Sequence, residues 1–199
     1  MIERRGSWRL GPTIEEYAKS SMAALPHLIT VDEFRQLPKG GEHAYELHHG
    51  EVVAVTRPRS RHVELQHRLL MLLGPKLRDF GAVRSEYPYR PFEEFDLRAA
   101  DVAAISHQRF RDIDPDDNLH GAPELVIEVK SPSNTPAQLR EMVSLCLNRG
   151  ALQCWILDQG KKSVSVMHRD GSVIVCRAGE SIPLTAFGSD SLAVDEIFA

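Results

Sequence analysis

Apolar positions recur along this chain at spacings that change from stretch to stretch, and each change marks an element. The clearest stretch is Pro123 to Ser131, P-E-L-V-I-E-V-K-S, in which Leu125, Ile127 and Val129 alternate with Glu124, Val126, Glu128 and Lys130. Strand side chains repeat with period two, so the pattern predicts a strand with one core face. The other face delivers a carboxylate and an ammonium, Glu128 and Lys130, at the C-terminal end of the strand.

Upstream, Thr13-x-x-Glu16 and Thr30-x-x-Glu33 are capping-box patterns that open short helices. Residues 1–27 are read as an N-terminal arm with a short helix, and 28–199 as the main domain. His43 to Val55 predicts a β-hairpin turning at His49-Gly50, with Glu46 on the face opposite Tyr45 and Leu47. His48 and His49 are read as turn residues. A helix is predicted from about Ser60 to Phe80, kinked or ended early by Gly74-Pro75, with Leu70, Leu73, Leu77 and Phe80 on one face. His62 and Gln66 continue that face into the first two turns, which either points that end at a cleft or leaves the two side chains hydrogen-bonded in the core or frayed into water. Ala82 to Phe92 is strand-like, its prolines suggesting an edge or bulge. Asp101 then opens another apolar strand, Val102 to Ile105.

Downstream, Thr135 and Pro136 start a helix striped by Leu139, Val143, Cys146 and Leu147 and stopped at Gly150. A helical crossover makes the next strand, Cys154 to Leu157, parallel to the central one. Val164 to Met167 and Val173 to Cys176 extend it as a meander, and Leu192 to Phe198 packs back on the sheet. The pattern predicts an α/β domain with a mixed central sheet flanked by helices.

Composition narrows the function classes. A chain of 199 residues with 42% hydrophobic and 26% charged residues is ordinary for one globular domain. No apolar run approaches the roughly 18 residues of a membrane span, so cytoplasmic residence is the expectation. The net charge of −4 argues against a protein that coats nucleic acid, and leaves local contact. Cys146, Cys154 and Cys176 form no C-x-x-C and read as small buried hydrophobes. The acidic run Asp112, Asp114, Asp116 and Asp117 lacks the glycine and closing glutamate of a calcium loop and reads as a solvated loop.

The candidate chemistry lies where two strands can meet. Asp101 and Glu128 on neighbouring strands would form an oxygen-rich site for Mg²⁺ or Mn²⁺, with Lys130 beside it to orient water or steady charge on a phosphate. Arg57, Arg59, Arg61, His62 and Gln66 are candidates for contacting a nucleic acid, the three arginines by holding its backbone.

Asp101, then Glu128-Val129-Lys130 27 positions on, resembles the signature of PD-(D/E)XK nucleases. Tyr45-Glu46-Leu47, Gly50-Glu51-Val52, His62, Asp101-Val102, Ala122 to Val129, Ser131-Pro132-Ser133 and Gly150 before Trp155-Ile156-Leu157-Asp158 together resemble the Uma2 type of restriction endonuclease. The resemblance implies a restriction-endonuclease-like fold and Mg²⁺-dependent cleavage of DNA, with Asp101 and Glu128 on the metal, Lys130 on the water and Glu46 as a third acid. It implies a homodimer by analogy. Many relatives carry the lysine on the following helix, at the position Met142 takes here. The alternatives are a nuclease-fold binding or regulatory module without catalysis, and hydrolysis of RNA or another phosphate ester.

Overall fold

The computed structural model describes residues 14, 28–38, 44–55, 58–132 and 134–199. Arg57 and, apart from Ile14, the helix expected from Thr13 lie outside them.

After α1 (Val31–Gln36), capped reciprocally by Thr30 and Glu33, comes the hairpin of β1 (Ala44–His48) and β2 (Glu51–Val55). Its turn places His49 at φ 50° and Gly50 at φ 81°, the positive values that a two-residue hairpin turn requires. Ile14, Ile29, Val31, Leu47 and Val52 form a small core beneath it. His48 belongs to the strand, not to the turn.

The main sheet has seven strands: β3 (Gly81–Arg90), β4 (Arg98–Ser106), β5 (Leu119–His120), β6 (Leu125–Val129), β7 (Gln153–Asp158), β8 (Ser163–His168) and β9 (Val173–Arg177), in the order β5-β3-β4-β6-β7-β8-β9. It is mixed: β6 and β7 run parallel, and β4 pairs antiparallel with both β3 and β6. One face carries α2 (Ser60–Lys76) and a C-terminal block of β10 (Ser181–Pro183), β11 (Ser191–Ala193) and α5 (Val194–Ile197). Leu65, Leu69, Leu73 and Leu77 meet Val102, Ile127, Val129 and Trp155 there. The other face carries α3 (His107–Arg111) and α4 (Pro136–Asn148), with Cys146 against Val126 and Cys154. All three cysteines are free and buried.

Four local expectations change. Both faces of β6 are core, because α4 covers Val126 as α2 covers Ile127; only at Glu128 does the α4 face turn polar. Lys130 is the first residue past the strand. The helix α2 runs through Gly74-Pro75 to Lys76, since Pro75 forfeits only the bond to Met71, an exposed residue where water can take the acceptor. Asp117 is no free loop residue: it binds Arg35, Arg90 and His120 and so ties the loop to α1 and β3.

Strands β3 and β4 change face part-way along. Val83, Val102 and Ala104 pack on the α2 side, whereas Tyr87, Tyr89 and Ala100 pack on the α4 side although their parity matches. The switch falls at Glu86, whose φ is 48°, and at Asp101, which faces it between the pairs Ser85↔Val102 and Tyr87↔Ala100.

Candidate active site

Asp101 sits where β4 switches face, and its carboxylate faces three elements. Oδ1 accepts from His62 Nε2 at 2.9 Å and Gln66 Nε2 at 2.8 Å, both from the first turns of α2. Oδ2 accepts the backbone N–H of Val129 on β6 at 2.7 Å. Each carboxylate oxygen has two acceptor directions. Oδ1 is therefore saturated, and Oδ2, on the β6 side, keeps one direction free. The polar start of the α2 stripe is thus spent on Asp101: Gln66 is buried and His62 half-buried. The bond to Asp101 raises the His62 pKa against the opposing cost of burial, and the charge of Glu86 adds to the rise.

Glu128 lies one strand over. Burial first, and then the charges of Asp101 and Glu46, push its carboxyl well above the usual range, while a backbone contact from Asp101 works the other way. Glu46 projects from β1, its Oε2 2.7 Å from His48 Nε2 and its Oε1 3.4 Å from the backbone N–H of Ala99. The bridge Leu47↔Leu97 ties this hairpin to the sheet. Arg98, buried between Asp96 and Glu141, fastens the start of β4 to α4. Glu46, Asp101 and Glu128 are thus near enough for two of the charges to be felt at the third, and among the described residues no lysine or arginine pairs with any of them. Excess negative charge on hard oxygen donors suits a divalent cation. No three His, Cys, Asp or Glu side chains among the described residues form a ready-made cage.

Lys130 is held differently. Its Nζ lies 3.2 Å from Asp158 Oδ2 on β7, outside the acid cluster. Arg59 and Arg61 flank the start of α2, exposed, with no ion pair from either side chain among the described residues. A hollow of about 770 Å³ lined by Phe92, Glu94, His120 and Arg149 is bordered by none of Glu46, Asp101 and Glu128.

Residues 31–195 match the family model Uma2, described as "Putative restriction endonuclease". The chain belongs to the Uma2 family. A crystal structure of a "putative nuclease belonging to DUF820" from Anabaena variabilis shares its fold, with a TM-score of 0.72 and 20% identity over 85% of this chain and 97% of that one. No curated protein matches. Among the described residues, no helix of this Uma2 protein is long and apolar enough to cross a membrane.

Two of its polar groups escape a reading of the sequence. Glu86 contacts Gln66 and opposes Asp101, but its signal is a parity change among Val83, Tyr87 and Tyr89 that only a known turn of the strand makes readable. Asp158 is visible as the end of the Trp155 strand, but nothing in the sequence pairs it with Lys130.

Proposed function

We propose that this Uma2 protein is a divalent-metal-dependent endonuclease that hydrolyses DNA phosphodiester bonds at the cluster of Glu46, Asp101 and Glu128. The observation that carries the reading is the convergence of acids from different strands: burial first, and then the charges of Asp101 and Glu46, push the Glu128 carboxyl well above the usual range. Asp101 through Oδ2, together with Glu128 and Glu46, would hold Mg²⁺ or Mn²⁺, which when bound supplies charge neutralisation and a more acidic water. His62 and Gln66 fix Asp101 so that its free acceptor direction lies on the β6 side. Lys130 supplies an ammonium just past Glu128, to orient the attacking water or to meet charge on the phosphate. In hydrolysis the water oxygen bonds to phosphorus and the departing sugar oxygen leaves with the electron pair and takes a proton.

Arg59 and Arg61, with Arg57, hold the DNA backbone through phosphate contacts that position without reading sequence. The same reading puts the protein in the cytoplasm and pairs two copies when both strands are cut. One observation favours a second reading, a nuclease-fold module without catalysis: Lys130 is engaged by Asp158 and not by the acids. Metal-dependent cleavage of plasmid DNA by the purified protein, lost on replacing Asp101 and Glu128, separates the two.

A further inference from the structure

Glu86 stands inside β3 with a left-handed backbone, φ 48°. Such a conformation is unfavourable for a residue with a Cβ, and it persists only where its surroundings enforce it. It faces Asp101 across the strand pair, and β3 and β4 both change face at this point.

Between the two acids lies Gln66. Its Nε2 donates to Glu86 Oε1 and to Asp101 Oδ1, so both N–H bonds of the amide go to opposed carboxylates. An amide has nearly the same shape when turned end for end, and turned so, Gln66 would set its carbonyl oxygen against Asp101. Glu86 and Asp101 both only accept, so the two together hold the N–H₂ end of Gln66 between them, and Glu86 anchors the second N–H so that the first stays on Asp101. With Gln66 and His62 both donating to Oδ1, the remaining acceptor capacity of Asp101 is confined to Oδ2.

We propose that Glu86 is a positioning residue of this site: through Gln66 it fixes the Asp101 carboxylate with Oδ2 free for the cation, and the strained backbone of β3 is retained for that purpose. The inference rests on Asp101 being a cation ligand. Glu86 acts by accepting one hydrogen bond, which a glutamine carbonyl can also do.

The test is Mn²⁺ affinity by calorimetry, with metal-free melting curves, for wild type and for E86A, E86G, E86Q and D101N. E86A and E86G are expected to bind Mn²⁺ about tenfold more weakly, the size of effect seen when a group that orients a metal ligand is removed. E86Q stays within about twofold of wild type. E86G melts no lower than E86A, because glycine accepts the left-handed backbone, so weaker binding by E86G is not unfolding. If E86A and E86G bind as tightly as wild type while D101N does not, the positioning role is wrong and the cation site stands. If E86Q loses as much as E86A, the charge of Glu86 matters and not its hydrogen bond, and positioning is again wrong. If D101N binds like wild type, or wild type binds no Mn²⁺, the cation reading of Asp101 fails and the inference fails with it.

Discussion

Asp101 Oδ2 accepts the backbone N–H of Val129 at 2.7 Å, so that a side chain of β4 takes a place in the ladder to β6, next to Glu128. The carboxylate is therefore both a structural acceptor and a free oxygen. Asp101→Ala strands the donors of Val129, Gln66 and His62, and should cost about 1–3 kcal/mol in urea unfolding. Asp101→Asn keeps one oxygen for Val129 but turns an N–H₂ towards other donors, and should cost less. Neither variant should show the rise in Tm that divalent metal gives wild type.

Lys130 tests the chemistry apart from the metal. Its pair with Asp158 is partly exposed, and such pairs contribute at most about 1 kcal/mol. Lys130→Met should therefore melt near wild type and bind metal normally, yet cleave about a hundredfold more slowly. Met142 lies one turn before Cys146 on α4, its sulfur 3.7 Å from Cys146 Sγ. Adding Met142→Lys should restore part of the activity, since relatives often carry the lysine on this helix. Normal cleavage by Lys130→Met would remove Lys130 from the mechanism.

The arginines make a salt-dependence prediction. Replacing Arg57, Arg59 and Arg61 by Ala should weaken DNA binding equally across sequences and lower the slope of log affinity against log salt by up to about 0.9 for each phosphate left without its arginine. An unchanged slope would take these residues off the DNA.

Asp117 contributes to acid stability. Against the cost of burial, bonds from His120, Arg35 and Arg90 hold its carboxyl well below the usual range. The folded pKa is thus lower than the unfolded value near 3.9. The stability it contributes is complete above that value and is lost as pH falls through the folded one. Asp117→Asn should be less stable than wild type in urea at pH 7, with the gap closing in strong acid. A gap independent of pH would contradict this.

The alternation in Leu125 to Val129 and the Thr135-Pro136 start make β6, α4 and the parallel β7 legible, because local patterning and tertiary packing agree there. The burial of Val126 is not legible, since whether a second helix covers a strand is a property of the whole chain. The same holds for the partners of Asp101. His62 and Gln66 announce a polar end of a helix stripe, but which acid they meet depends on how α2 crosses β4. Glu86 lies hidden because a left-handed residue breaks the very period by which strand faces are read.

The central claim, cation-dependent cleavage by Glu46, Asp101 and Glu128, is tested most directly by incubating purified protein with supercoiled, linear and single-stranded DNA in Mg²⁺, Mn²⁺ or EDTA, beside the variant combining Asp101→Asn and Glu128→Gln. Wild type is expected to nick or linearise DNA with either metal, EDTA to stop it, and the double variant to be inactive while still folded. Cleavage in EDTA, cleavage by the double variant at the wild-type rate, or intact DNA under every metal condition would contradict the central claim.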